Sequence, residues 1–330
     1  MKSIFLCQNP QETKRIYSQN IINSLKSEAS LADGVFTKED IFKFPEKFIH
    51  VENIFSTWGM PVLTEDEIKK YLPSLKSIFY AAGTVQAFAR PFLKCNVRIF
   101  SAWAANAIPV AEYAAAQIVL ANKGFFALSK ARKSHKLDVN DFPGNYGVNV
   151  GLIGAGTIGK LVIKFLKNQN INVNILVFDP FLPDEEAKTL GVKKVTLEEI
   201  FSNCSVISNH LANNEKTKNM LNYKLFSMVG KNATFINTGK GAQVVEKDLI
   251  KVLKQKPDFT AILDVTMPDP PSDDSEFFTL DNCILTPHIA GSHGKEVHRM
   301  AEYMLNEFRL YKDNKPCNYE VTEKMLETMA

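Results

Sequence analysis

Four polar side chains stand where apolar runs end in the second half of the chain: His210 in SNHLA, Lys240 in NTGKG, Asp264 in ILDVT and His288 in TPHIAG. An imidazole titrates near neutrality and can give a proton to an alkoxide. A lysine can hold a carboxylate and a polarised carbonyl oxygen. The set would therefore serve hydride transfer to a 2-oxo acid, with His288 as the acid/base and Lys240 as the cation.

The histidine would need an acidic partner that orients its ring and stabilises its protonated form. Asp269, in DVTMPDP, is the nearest candidate in sequence. Two simpler interpretations stay open, namely that Lys240 is a solvated loop charge and that His288 is a structural histidine. We expect no metal, because the spacing of five between His288, His293 and His298 does not keep side chains on one helical face.

A glycine-rich turn follows an apolar strand in NVGLIGAGTIGK and opens a helix. Gly154 permits the tight turn, Gly156 lets a pyrophosphate approach the backbone, and Gly159 lets the helix pack on the strand. The next predicted strand ends at Asp179, where a carboxylate meets a ribose 2′-hydroxyl. Since that carboxylate would repel a 2′-phosphate, the turn predicts NAD rather than NADP.

The elements that must position these groups alternate between β-rich and helical runs, which predicts an α/β protein with parallel sheets. Predicted strands of the first hundred residues are SIFLC, KFIHVENIF, LKSIFYAA and VRIFSAW. A capping box of Thr64 and Glu67 starts a helix between the second and third of these. Later strands are VNVGLIG, VNILVFD, VISNHLA, ATFINTG, FTAILDV and CILTPHI, with helices at about 157–169, 184–190, 222–229 and 246–255 and one that closes the chain.

Length and composition predict two domains and a small-molecule partner. The chain has 330 residues, 39 basic against 36 acidic side chains, and no long run of one sign, so we expect no nucleic-acid partner. Five cysteines without a C-x-x-C pair indicate a reduced, cytoplasmic protein. No apolar stretch looks long enough for a bilayer, because the nearest one carries Glu112, Gln117, Asn122 and Lys123. We therefore expect no membrane partner.

The chain resembles the D-isomer-specific 2-hydroxyacid dehydrogenases over almost its whole length. The motifs that carry the resemblance occur in a fixed order: FYAAGT, NAIPVAEY, GLIGAGTIGK, VFDP, HLANNEKT, FINTGKG, LDV and TPHIAG. The resemblance implies two doubly wound parallel-sheet domains, with a Rossmann NAD domain at 103–292 inserted into a flavodoxin-like substrate domain. The substrate domain would comprise residues 1–102, and 293–330 would return to it as a C-terminal helix.

The resemblance also implies site residues. His288 is the implied acid/base, Lys240 takes the place of the family's arginine as a catalytic and substrate-binding cation, and Asp269 takes the place of a glutamate. The backbone at Ala82, Gly83 and Thr84 would contact the substrate carboxylate. The implied NAD contacts are Gly154, Gly156, Thr157, Ile158, Gly159, Asp179, Pro180, His210, Thr217, Thr238, Gly239, Asp264, His288 and Gly291. The alanine-rich helix after Pro109 would form a homodimer.

Two departures from the family pattern fall in the catalytic set. Lysine is a hydrated point charge without the planar fork of arginine, so orientation of a carboxylate should weaken. Asp269 is one methylene shorter than glutamate, and we expect it to reach His288 only through a shifted loop or a water. The leading hypothesis is an NADH-dependent reductase of a small 2-oxo acid that also runs as a D-2-hydroxyacid dehydrogenase. One alternative is an NAD(H)-sensing, corepressor-like relative with reduced catalysis, and another is the same enzyme class with a larger or phosphorylated acid as substrate.

Overall fold

The computed structural model describes residues 2–131 and 138–327. Its strands are β1 Ser3–Leu6, β2 Leu31–Phe36, β3 Asn53–Ser56, β4 Ser77–Tyr80, β5 Arg98–Ser101, β6 Tyr146–Ile153, β7 Asn172–Phe178, β8 Lys193–Lys194, β9 Val206–Asn209, β10 Thr234–Asn237, β11 Thr260–Leu263, β12 Cys283–Leu285 and β13 Glu320–Val321. Its α-helices are α1 Pro10–Ile16, α2 Gln19–Ala29, α3 Lys38–Lys43, α4 Glu65–Tyr71, α5 Ala89–Lys94, α6 Trp103–Asn122, α7 Phe125–Ala131, α8 Thr157–Asn168, α9 Asp184–Leu190, α10 Leu197–Asn203, α11 Tyr223–Phe226, α12 Glu246–Gln255 and α13 Val297–Lys312.

The first of two compact units comprises Met1–Asn106 and Ser292–Ala330. Its six-stranded sheet has the order β13-β5-β4-β3-β1-β2, and the strands are parallel except β13, which runs antiparallel to β5. Every residue of β3 and β4 is buried, as is usual for strands of a parallel sheet with both faces covered.

Register places three phenylalanines side by side in this sheet. Phe79 of β4 pairs with Phe55 of β3 and with Phe100 of β5, and its ring stacks on theirs at centroid distances of 5.1 and 4.8 Å. Phe308 of α13 packs edge-on against Phe55 and Phe79 at 5.4 Å. The C-terminal helix is therefore part of the core of the first unit.

The second unit comprises Ala107–Gly291. Its seven-stranded sheet has the order β12-β11-β10-β9-β6-β7-β8, and all strand pairs are parallel. The chain starts at β6, builds outward through β7 and β8, and returns to the other side of β6 at β9. This reversal of strand order falls at the carboxyl ends of β6 and β9, which is where open α/β sheets bind ligands.

The helix predicted after Pro109 begins earlier, at Trp103, and runs through the proline to Asn122. At 20 residues it is, among the residues the structure describes, the one helix long and apolar enough by composition to cross a membrane. The expectation that no apolar stretch is long enough was wrong by length and composition, because the helix begins at Trp103 and ends at Asn122, before Lys123. Half of the most apolar part of this helix is buried inside the protein.

The predicted strands of the second unit and the Thr64–Glu67 capping box are present. In KFIHVENIF, by contrast, the strand begins only at Asn53 and continues to Ser56, and a 3₁₀ helix that ends at Lys47 and a turn precede it. Strand β2 was not predicted, because LADGVF contains Asp33 and Gly34 and lacks a clear alternation. The doubly wound α/β architecture itself is confirmed.

Candidate active site

The glycine turn between β6 and α8 has the shape that a dinucleotide requires. Gly154 has φ of +96°, and a Cβ there would lie 2.8 Å from the His210 carbonyl oxygen. A Cβ on Gly159 would overlap the carbonyl group of Gly154, so α8 packs directly on the turn. A Cβ on Gly156 would meet nothing within 4 Å, and no side chain caps the helix that begins at Thr157. The residues therefore leave space and backbone N–H groups for a pyrophosphate.

Asp179 follows β7 and is half-buried beside this turn. Its Oδ2 accepts a hydrogen bond from the Ala155 N–H at 2.7 Å, and its Oδ1 accepts one from the Phe181 N–H at 2.8 Å. Each carboxylate oxygen has a further lone pair for a ribose hydroxyl. The backbone thus fixes the carboxylate at the edge of the glycine turn.

The polar groups singled out in the sequence follow the ends of β9 to β12, which are neighbours in the sheet. Register pairs Asn237, the last residue of β10, with Asn209 on one side and Leu263 on the other. Leu263 in turn pairs with Leu285 of β12. Since neighbouring strands lie about 4.8 Å apart, the loops after β10 and β12 start about 10 Å from each other. They carry Lys240 and His288.

His288 is paired with Asp269. Nδ1 of the imidazole lies 2.7 Å from Oδ2 of the carboxylate, and the two side chains are 49% and 33% exposed. The shorter aspartate therefore reaches the ring directly, without the bridging water that we allowed for. Because Nδ1 faces the carboxylate, Nε2 is the ring nitrogen that faces away from this partner.

The loop that carries His288 is held by Asp264, which is 2% exposed. Its Oδ1 accepts from the Thr286 hydroxyl at 2.7 Å and from the Ile289 N–H at 2.8 Å, and its Oδ2 accepts from the Ala290 N–H at 2.9 Å. These bonds stabilise a backbone in which His288 has φ of +55°, a conformation that costs a residue with a Cβ about 1 kcal/mol. Asp264 thus orients the loop on both sides of the imidazole.

Thr286 receives a further contact from α6. The Tyr113 hydroxyl lies 3.1 Å from Oγ1 of Thr286. Since Thr286 gives its own proton to Asp264, Tyr113 is the donor. Burial raises the pKa of Tyr113 above its ordinary value, so the phenol stays protonated and able to donate. Neither residue was singled out in the sequence, where both look like ordinary members of a helix and a strand end.

Lys240 lies between two glycines that allow close packing of its loop. A Cβ on Gly239 would come within 2.6 Å of the Gln243 amide oxygen, and a Cβ on Gly241 would overlap the Thr266 carbonyl group. Lys240 itself is half-buried. Within residues 2–131 and 138–327, its ammonium group makes no ion pair or hydrogen bond, so the cation is available to an anionic ligand.

His210 is buried behind the glycine turn, where Oγ of Ser208 lies 2.9 Å from Nε2 and Oγ1 of Thr238 lies 3.3 Å from Nδ1. Burial lowers the pKa of His210 to about 4, so the ring is neutral at neutral pH. Both ring nitrogens are occupied by hydroxyl groups. Its carbonyl oxygen, which lies against Gly154, is the part of His210 that borders the turn.

The remaining predicted cofactor residues of the second unit lie in the loops around these groups. Thr217 is buried, and its hydroxyl donates to the Ala212 carbonyl at 2.7 Å. Pro180 is exposed beyond Asp179, Ile158 lies in the first turn of α8, and Gly291 ends the His288 loop.

Ala82, Gly83 and Thr84 belong to the first unit, directly after β4. The Ser101 hydroxyl donates to the carbonyl oxygens of Ala82 and Gly83, which lie 2.9 and 2.6 Å from its Oγ. In the described parts of the chain, the N–H groups of Gly83 and Thr84 have no hydrogen-bond acceptor. Two adjacent donors of this kind suit a carboxylate.

Comparison with known proteins agrees with this geometry. Residues 115–290 match the model of the D-isomer specific 2-hydroxyacid dehydrogenase, NAD binding domain, which is more than half of the chain. The chain belongs to the D-isomer-specific 2-hydroxyacid dehydrogenase family. Family members are NAD-dependent oxidoreductases of 2-hydroxy acids.

One relative is a D-3-phosphoglycerate dehydrogenase of Methanocaldococcus jannaschii, with 30% identity over 269 residues, which are 80% of this chain and 50% of the relative. The chain thus spans about half the length of this curated relative.

Two solved structures show the same fold. A phosphoglycerate oxidoreductase from Rhizobium etli superimposes with a TM-score of 0.81 at 19% identity and covers 98% of this chain and 99% of its own. An acyclic imino acid reductase in complex with NADPH and D-Arg superimposes with a TM-score of 0.72 at 21% identity and covers 97% of this chain and 100% of its own.

Proposed function

We propose that the protein is an NAD(H)-dependent oxidoreductase that interconverts a small 2-oxo acid and its D-2-hydroxy acid. The observation that supports the proposal most directly is the His288–Asp269 pair. It lies in one row of strand ends with Lys240, which has no ion pair in the described part of the chain. A paired imidazole and a free cation are the two groups that reduction of a carbonyl beside a carboxylate requires.

In this proposal His288 moves the proton. Asp269 holds Nδ1, so Nε2 is the atom that gives a proton to the developing alkoxide oxygen. In the opposite direction Nε2 takes the hydroxyl proton, and the carboxylate stabilises the imidazolium that forms. Asp264 keeps the ring in place by fixing the backbone on both sides of it.

Lys240 has the second role. Its ammonium group would bind the carboxylate of the acid and polarise the carbonyl oxygen next to it. Lysine lacks the two parallel N–H groups of a guanidinium, so orientation depends on how firmly its backbone is held. The carboxylate contact implied at Ala82, Gly83 and Thr84 stays a prediction of the family resemblance.

NAD is the proposed cofactor, and it would supply the hydride when bound. The turn from Gly154 to Gly159 and the first turn of α8 would hold the pyrophosphate, and Asp179 would accept from a ribose hydroxyl. Although one structural neighbour is in complex with NADPH, Asp179 and the absence of basic residues in the following PFLP favour NAD over NADP.

The proposal is tested by NADH oxidation with a panel of 2-oxo acids that runs from glyoxylate to branched and phosphorylated acids. His288→Asn should lower kcat by at least about 100-fold with little change in KM, and Lys240→Ala should remove most activity while NADH affinity stays within about twofold. Lys240→Arg is the matched variant that retains the charge. Turnover that survives both His288→Asn and Lys240→Ala would contradict the assigned roles.

Two outcomes of the same panel would change the proposal. Turnover confined to phosphorylated acids would favour a substrate like that of the D-3-phosphoglycerate dehydrogenase relative. Tight NADH binding without turnover of any acid would instead favour an NAD(H) sensor. A cytoplasmic homodimer that forms through α6 belongs to the same proposal, and light scattering of the purified protein tests the dimer.

A further inference from the structure

Three buried amide side chains form a network under the Lys240 loop. Asn209 ends β9, Asn237 ends β10, and Gln243 lies three residues after Lys240; none is more than 1% exposed. The Asn209 Nδ2 donates to Oδ1 of Asn237 at 2.9 Å and to Oε1 of Gln243 at 2.6 Å. Register explains the first contact, because Asn209 and Asn237 are paired residues of adjacent parallel strands.

The network holds the backbone of Lys240 at both its polar groups. Oε1 of Gln243 accepts from the Lys240 N–H at 3.1 Å. The Lys240 carbonyl oxygen accepts from Nδ2 of Asn237 at 3.4 Å and from the Gln243 N–H at 3.3 Å. Oδ1 of Asn237 also accepts from the Gly239 N–H at 3.1 Å, so the residue before Lys240 is fixed as well.

Neighbouring backbone groups determine the orientation of the amides. Nε2 of Gln243 donates to the carbonyl oxygens of Leu211 and Ala212 at 2.8 and 3.0 Å, and only an NH₂ group can do this. Oδ1 of Asn209 accepts from the Leu211 N–H at 3.3 Å. The same side chains thus tie the loop after β9 to the loop of Lys240.

We propose that Gln243, supported by Asn209, is a positioning residue that fixes the Lys240 backbone so that a flexible lysine can serve where orientation is needed. The inference rests on the proposed function of Lys240. A lysine side chain has four rotatable bonds and no fork to align it, so a mobile backbone would spread its ammonium group over a wide volume. Holding the backbone from two sides reduces that spread.

The network predicts a graded result for two apolar replacements. Gln243→Leu removes the acceptor of the Lys240 N–H and should lower kcat/KM for the 2-oxo acid by about 10- to 100-fold, through a higher KM for the acid and a lower kcat. Asn209→Leu removes a buried amide of similar connectivity but leaves the Gln243–Lys240 bond, so its effect should be at most about threefold. Because both amides also hold the loop after β9, NADH affinity can fall in both variants, but in Gln243→Leu by less than kcat/KM.

Asn282→Ala is the matched control. The Asn282 Nδ2 donates to the carbonyl oxygens of Leu253, Lys256 and Phe259 at 2.9, 3.2 and 2.8 Å, so its loss also removes a loop-fixing amide from the second unit. It does not contact the Lys240 loop. If Asn282→Ala and Gln243→Leu lower the melting temperature equally but only the second lowers kcat/KM, the effect is positional and not a general loss of stability.

Hydrogen exchange of the Lys240 backbone amide, followed by NMR without ligand, gives a readout that does not depend on turnover. We expect protection in the native protein and in Asn209→Leu, and fast exchange in Gln243→Leu. Unchanged exchange in Gln243→Leu would overturn the proposal, as would fast exchange with an unchanged kcat/KM. If the native protein reduces no 2-oxo acid, the proposed function fails, whereas fast exchange in Gln243→Leu would still support the hold on Lys240.

Discussion

The two loops that bear the proposed catalytic groups are held by different chemistry. Carboxylates hold the His288 loop, since Asp264 accepts three hydrogen bonds from it and Asp269 pairs with the ring. The Lys240 loop is held by the neutral side-chain amides of Asn237 and Gln243. A carboxylate beside the imidazole can accept the ring N–H and orient the ring, whereas a carboxylate near Lys240 would compete with an acid substrate for the ammonium group. Each loop is thus supported by groups that suit the charge it presents.

The largest effect should come from Asp264→Asn. An amide at this position turns an NH₂ group toward backbone N–H groups, so the buried charge-assisted hydrogen bonds are lost. The free energy of unfolding should therefore fall by about 3 kcal/mol. We expect kcat to fall as well, because the His288 backbone is no longer fixed. Chemical denaturation and steady-state kinetics measure the two effects.

Asp248→Asn is the control for this variant. Its Oδ2 accepts from the Tyr223 N–H at 2.9 Å, in a part of the second unit that does not touch the His288 loop. It should lower stability by about 1 kcal/mol and leave kcat unchanged. An equal loss of kcat in both variants would show that Asp264 supports the fold generally and has no special relation to His288.

A second test concerns the Lys240 loop, where His210 contacts Thr238, two residues before Lys240. The pKa of His210 is about 4 in the folded protein, below its value of about 6.5 in an unfolded chain. The unfolded chain therefore binds more protons between these values, and stability falls as the pH falls through that window. The loss between pH 7.5 and pH 5 should be about 2 kcal/mol.

His210→Gln cannot take up that proton and should flatten this part of the stability curve. His298→Gln is the control, because His298 is half-buried in the first unit with Nδ1 against the Ile16 carbonyl oxygen. Urea denaturation at several pH values measures both. A slope that persists unchanged in His210→Gln would show that another group causes the acid sensitivity.

The smallest effect is expected for Tyr113→Phe, which removes the hydroxyl that donates to Thr286. One such hydrogen bond contributes about 1 kcal/mol, so the melting temperature should fall by only a few degrees and kcat by less than about threefold. Tyr146→Phe, at a side chain 81% exposed, should change neither. A larger fall in kcat for Tyr113→Phe would mean that the His288 loop is more sensitive to α6 than the Asp264 contacts suggest.

The α/β class and the glycine turn could be predicted from the sequence because they depend on local signals: apolar runs, glycine spacing and a capping box. The groups that hold the two loops could not. Asn209 and Asn237 lie 28 residues apart and become neighbours only through strand register. Gln243 sits in an apolar stretch, GAQVV, where one polar residue looks incidental. A search for amides at the ends of adjacent predicted strands would have found the first pair.

The amide network also limits how this chain can change over evolutionary time. Asn209, Asn237 and Gln243 satisfy one another, so a single apolar replacement leaves buried polar groups without partners. If the amides are replaced by apolar side chains one at a time, the first single variant is therefore less stable than the starting protein. Positions 209 and 243 should consequently change together among descendants of this sequence, and a designer who replaces one should replace both.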